Sequence, residues 1–363
     1  MEARRSLRES SPLLERNHAE RLESSRKVYR AKNGDEAEKA MKKSAKKSPS
    51  NKKASTKAQI AAAMGQMEKL MASGDLITQA DLNALLASLS GPSATDGLSD
   101  AQADAKDEAQ QVAFDAMEAE TEAQARKLAK RALRLDPDCV DALVLMAGIE
   151  SDSPRKMIEG LQNAVAAGER SLGARFIAEN KGHFWMLIET RPYMRALEQL
   201  AGLLRAEGFK LDAIKQYERI LALNPNDNQG VRDPLLGLYL AASDMEGARR
   251  LLLDFKDDAM ANFAWGRVLE RFLSEDKPGA AVELKKARKA NRFVELYLTG
   301  RKGIPKAMPE MYSMGSDEEA VLVLDHMSLA WAEHKEALFW LMEQLMPVHV
   351  GKTGPVKPGK RPQ

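Results

Sequence analysis

Five histidines make metal binding the first chemistry to test. His326 and His334 stand eight residues apart. That is about two helical turns, too far for side-by-side ligation. Neither has the i+4 partner of an H-E-x-x-H site. His183 lies between Gly182 and Phe184 and beside Trp185, a setting for capping or packing. Cys139 is the only cysteine, so no intramolecular disulfide and no cysteine-based zinc site can form. The chain has no G-x-x-x-x-G-K-[ST], G-x-G-x-x-G or G-x-S-x-G run to cradle phosphate or present a nucleophile. Its carboxylates are spaced like those of solvated helix faces, and no acid–base pair can be read from them. The expectation is no metal, no cofactor and no enzyme.

A second chemistry is charge. From Lys39 to Lys57 the chain holds eight lysines and no acid, including Lys42, Lys43, Lys46, Lys47, Lys52 and Lys53. Such a run can bind nucleic acid or another anionic surface by counterion release, or can simply keep the protein soluble. It has no arginine and no aromatic to read or stack bases, so any nucleic-acid contact should be non-specific. Residues 1–60 carry 17 Lys/Arg against 8 Asp/Glu, which leaves 38 against 45 for residues 61–363. The pattern is a basic arm on a mildly acidic body.

The body is read as helical. Hydrophobic residues make up 44% of the chain but aromatics only 5%, with Ala, Leu and Met dominant, a mixture that favours helix over strand. Residues 1–56 lack the apolar surface to offset ordering entropy and read as a disordered arm. Residues 57–90 read as a short helical hairpin, broken at Gly74 and restarted at Thr78 with Asp81 in capping-box spacing. Residues 91–98 read as a linker, 99–346 as the repeat domain and 347–363 as a flexible basic tail. The N-terminus has no apolar core of a secretory signal, and no apolar run nears the ~20 residues that span a bilayer. A cytoplasmic protein without a membrane span is the expectation.

Repeats set the architecture. From Met194 to Asp227 the chain places Leu197, Leu200, Ala201 and Leu204 on one helix. It turns at Gly208, continues with Ala213, Tyr217 and Ile220, and closes at Asn224-Pro225. Those intervals match the 34-residue tetratricopeptide pattern, in which a small residue lets two helix backbones approach and a large one fills the adjoining groove. Ala125, Ala129 and Ala132 before Pro137 repeat the arrangement. So do Leu236, Leu240, Ala248 and Leu252, and Ala280, Leu284 and Ala287. The expected fold is all-α: a tetratricopeptide-like right-handed α-solenoid of antiparallel helix pairs behind a disordered basic N-terminal arm.

Three stretches also resemble a known family. They are Gly182 to Arg195, Asn224 to Leu240 and Glu295 to Ala320, the last followed by Ala330-Trp331 and Ala337 to Leu341. Together they resemble bacterial tetratricopeptide proteins grouped with the suppression-of-tumorigenicity family, across about 180–345. The resemblance implies a helical-repeat scaffold with no catalytic residues to carry over. Repeat proteins of this kind bind extended segments on a concave face. In the Met194 unit that face would carry Arg195, Glu198, Gly202 and Arg205. In the unit starting near Ala261 it would carry Trp265, Leu269 and Phe272, unless those side chains serve as core. The expected partner is a protein or peptide, with non-specific nucleic-acid binding by the arm as the alternative.

The arm reading makes a quantitative prediction. If all eight lysines met duplex phosphates, the log–log salt dependence would approach about −0.9 per contact, and a mobile chain should reach roughly half that total. Fluorescence anisotropy on two unrelated duplexes should show no sequence preference, and Lys→Gln replacement from Lys39 to Lys57 should abolish binding. A preference above about tenfold would require base contacts the run cannot make.

Overall fold

A computed structural model describes residues 98–345 apart from Lys306. The lysine run, the 57–90 hairpin with its Thr78 cap, linker residues 91–97 and the 347–363 tail lie outside the described residues. Among those described, the secondary structure is helical with no strand. The chain divides into two compact units, one up to Leu238 and one from Tyr239.

In the first unit, α1 (Asp100–Met117) and α2 (Glu122–Leu135) form one pair, and α3 (Val140–Glu150) and α4 (Pro154–Leu172) a second. After the short α5 (Ala174–Glu179), α6 (Arg191–Ala206) and α7 (Lys210–Leu223) form a third. Start signals are chemical. Ser99 and Gln102 make a reciprocal capping box at α1, with Gln102 Oε1 accepting from the Ser99 amide at 3.0 Å. Thr121 caps α2, and Ser153 followed by Pro154 opens α4.

The α2 stripe of Ala125, Ala129 and Ala132 is buried, as are Ala201, Ala213, Tyr217 and Ile220 of the third pair. Gly208 takes a positive φ of 80° at the α6–α7 turn, where a side chain would be strained. In the pair α3–α4 a glycine, Gly160, takes the first small position of the α4 stripe, followed by the fully buried Ala164 and Ala167 at the same intervals as Ala125, Ala129 and Ala132. A Cβ on Gly160 would stand 2.6 Å from Ala147 Cβ, and one on Gly168 2.5 Å from the Tyr193 ring. Helix α3 packs against α1, α2, α4 and α6, so it must be apolar nearly all round.

Between α4 and α6 the connection is longer than a turn. Two 3₁₀ turns, Phe184–Met186 and Ile188–Thr190, follow α5. Phe184 is fully buried between Phe176 and Tyr193, with ring centroids 6.4 and 6.3 Å away. The Thr190 hydroxyl donates to the carbonyls of Phe184 and Leu187. His183 is exposed and makes no side-chain cap bond; the packing expected of it is done by Phe184.

Helix α8 (Arg232–Ala241) starts on Asp227, whose carboxylate accepts from the amides of Val231 (2.8 Å) and Arg232 (3.1 Å). In the second unit, α9 (Met245–Asp254), α10 (Ala261–Leu273), α11 (Lys277–Ala290), α12 (Val294–Leu298), α13 (Asp317–Glu333) and α14 (Lys335–Glu343) follow. Ala248 is buried as expected, but Leu251 rather than Leu252 is its fully buried companion. Helix α10 packs against α9, α11, α13 and α14. Trp265 donates from Nε1 to the Asn291 carbonyl at 3.2 Å and meets Trp331 edge-on at 6.3 Å.

The crossing at Ala213 predicts a stability contrast. Ala213→Leu should cost about 1–3 kcal/mol by overpacking a fully buried site. Lys215→Ala, at an exposed ion pair with Asp212, should cost less than about 0.5 kcal/mol. Equal chemical-denaturation midpoints for the two variants would contradict this packing.

Candidate partner-binding face

Helices α1, α3 and α6, the first members of their pairs, contact one another in sequence order. A polar bridge crosses all three. Asp141, in the first turn of α3, is only 3% exposed. It accepts from Gln110 Nε2 of α1 at 2.8 Å. From α6 it accepts Arg195 Nε at 3.2 Å and Arg195 Nη2 at 2.5 Å. A fork-to-fork arginine–carboxylate pair fixes both orientation and distance. The carboxylate also lies where the positive end of the α3 dipole favours it.

One turn on, Glu198 accepts from Gln229 Nε2 at 2.7 Å, and the same amide donates to the Met194 carbonyl at 3.2 Å. Arg205 lies farther along, half-buried. Arg195, Glu198, Gly202 and Arg205 fall at i, i+3, i+7 and i+10, one stripe of α6. The structure thus brings three of the expected site residues onto one helix face and ties two of them into contacts between elements.

The three expected on α10 are placed differently. Trp265 and Leu269 are fully buried, so they are interior packing and not an accessible face. Helix α10 is enclosed on several sides, and its inward and outward positions cannot be separated by spacing. Phe272 is half-buried, 5.3 Å from the Trp340 ring, with Lys277 Nζ 5.6 Å from its own. The six lysines of the arm lie outside the described residues.

Asp141 and Gln110 were not among the residues singled out. The available signal was an aspartate inside the otherwise apolar run Val140 to Met146. Cys139, just before it, is buried with its Sγ 3.7 Å from the Ala109 carbonyl. Burial pushes its thiol up to about 12, overriding the backbone hydrogen bond that favours the thiolate. Among the described residues, no group of three or more His, Cys, Asp or Glu is placed to hold a metal ion. No helix among them is long and apolar enough to cross a membrane.

Comparison with known proteins adds little to this geometry. No family model and no curated protein matches the chain, so the resemblance to the suppression-of-tumorigenicity family gains no support there. Among solved structures the chain is similar to pilF of Pseudomonas aeruginosa. The identity is 20% over 52% of this chain and 92% of that one, with a TM-score of 0.27. The fold is an all-α helical repeat on the strength of its own helix pairs.

Two predictions follow from the bridge and its neighbour. Asp141→Ala should destabilise by about 1–3 kcal/mol, because it removes a buried carboxylate that accepts from both Gln110 and Arg195. A double-mutant cycle with Arg195→Ala should recover a coupling of about 1 kcal/mol or more. The Cys139 thiol should resist a thiol-exchange reagent at pH 8 until denaturant opens the fold. Rapid labelling of the native protein would show that the site is open.

Proposed function

We propose that this chain is a non-enzymatic, cytoplasmic scaffold that holds a protein or peptide partner on the face of α1, α3 and α6, with Arg195, Glu198 and Arg205 in contact. The supporting observation is the Gln110–Asp141–Arg195 bridge, which locks three successive first helices in fixed register. A surface held this way meets a partner without first losing much side-chain freedom, which lowers the cost of association. Its exposed groups are mixed in charge, which suits selection of a partner by complementary polarity more than by apolar burial.

Site-specific photocrosslinking tests the reading. A benzoylphenylalanine at Glu198 or Arg205 should give a discrete adduct in cells, and one at Arg155, exposed on α4, should not. The same adduct should form when only residues 98–345 are expressed. Equal labelling from all three positions, or an adduct that needs the lysine arm, would remove the basis for this face.

A further inference from the structure

The second unit carries a basic island in an acidic body. Residues 277–302 hold eight Lys/Arg and two Asp/Glu, Glu283 and Glu295. Both glutamates are already engaged. Glu283 pairs with Lys286 at 2.8 Å, and Glu295 with Arg288 at 2.7 Å. Lys302 reaches Asp317 at 2.5 Å. Of the five cations that remain, Lys277 lies over the Phe272 ring and Arg301 sits after α12; the other three are Lys285 and Lys289, one turn apart on the exposed face of α11, and Arg292 just past its C-cap. None of these three pairs with a carboxylate among the described residues; the Arg292 guanidinium instead lies 5.1 Å from the Phe293 ring.

A methionine-bearing loop leaves and returns near the C-terminal end of α11. Its outgoing end is held by Lys302, whose Nζ stands 5.4 Å from the same Phe293 ring. Its returning end is held where Asn291 Nδ2 donates to the Ser316 carbonyl at 2.7 Å and the Gly315 amide donates to Glu319 at 2.6 Å. Between these anchors Met311 and Met314 are 84% and 71% exposed, with Ile304 and Tyr312 about half exposed. Methionine, tyrosine and arginine are the residues enriched where proteins meet, and methionine adapts its shape to an irregular partner.

We propose that the exposed face of α11 and the loop after α12 form a docking surface for an acidic protein segment that also carries apolar side chains. The surface is separate from the α6 face and does not depend on it. The unpaired cations set the sign of the partner's charge, and the loop requires aliphatic or aromatic groups beside that charge. A nucleic-acid backbone supplies the charge but no aliphatic surface for Ile304, Met311 and Met314. An anionic bilayer supplies both. It would, however, receive Glu310, exposed next to Met311, among charges of its own sign. A segment alternating carboxylates with Leu or Phe satisfies both halves of the surface.

The test uses full-length protein in which the lysines from Lys39 to Lys57 are Gln, so that the arm cannot bind the probe. The probe is a fluorescein-labelled 16-residue peptide, Glu-Ser-Leu-Glu repeated four times, read by anisotropy. Binding should weaken at least about tenfold with Lys285→Gln/Lys289→Gln/Arg292→Gln and also with Met311→Ser/Met314→Ser, both folded by circular dichroism. It should weaken with added salt, vanish when each Glu of the peptide is replaced by Lys, and be unchanged by Arg205→Ala. Peptide affinity that ignores both variant sets overturns the proposal. So does loss with Arg205→Ala alone, which would put the peptide on the first unit. Binding to vesicles of 70% phosphatidylcholine and 30% phosphatidylglycerol, or to a 20-base-pair duplex, that needs these residues while the peptide does not bind would also overturn it.

Discussion

Close approach of paired helices at small residues is the constraint on which the rest depends. Helix axes reach the short end of the ~8–10 Å packing range only where the crossing side chains are small. Here Ala213 serves α7, Ala280 and Ala287 serve α11, and Gly160 against Ala147 serves the α3–α4 pair. An alanine core buries little area per residue. Each pair must therefore add its neighbours' surface to its own, the general condition of repeat architectures. The long side chains are spent between pairs: Tyr193 over Gly168, Phe184 between α5 and α6, and Trp265 against Trp331.

Polar groups buried at the joints fix what the apolar contacts leave loose. Asp141 joins three helices of the first unit. Glu319 has the same role in the second, accepting from the Ala261 amide, the Asn291 side chain and the Gly315 amide. Such groups contribute little net stability, because desolvating a carboxylate offsets most of the attraction. Their effect is on register: only one rotation of each helix satisfies every donor. A surface assembled from several helices inherits that precision, which is why the α6 stripe keeps a defined shape.

The sequence made the helix pairs legible where alanine marks the crossing. The Met194 unit and the Ala125 and Ala280 copies were readable from spacing, whereas in the Ala248 copy spacing chose Leu252 where Leu251 is the buried residue. The α3–α4 pair was not readable, because glycine takes the first small position of the α4 stripe ahead of Ala164 and Ala167, and α3 is apolar on nearly every side, which erases its 3.6-residue period. The same loss of period explains Trp265 and Leu269. On a helix surrounded by four others, spacing cannot say which apolar residue faces out. The charged contacts at the site were legible only in half. Arg195 and Glu198 followed from repeat register, whereas Gln110, Asp141 and Gln229 come from other pairs, and distance across a fold is not written in local spacing.

Charge placement completes the argument about surfaces. Removing residues 277–302 from the count for 61–363 leaves 30 Lys/Arg against 43 Asp/Glu, so the island is basic against a clearly acidic background. Helix-dipole compensation accounts for part of it, since Arg288 and Lys289 stand in the last turn of α11. That effect fades within one turn, and Lys285 and Lys286 lie before it while Arg292 and Arg301 lie beyond the helix. Solubility does not explain the surplus either, because the acidic background already supplies net charge. The cations stand on the exposed face and just past the end of α11, and the methionine-bearing loop is pinned at both ends to the first turn of α13, an arrangement that neither cause requires.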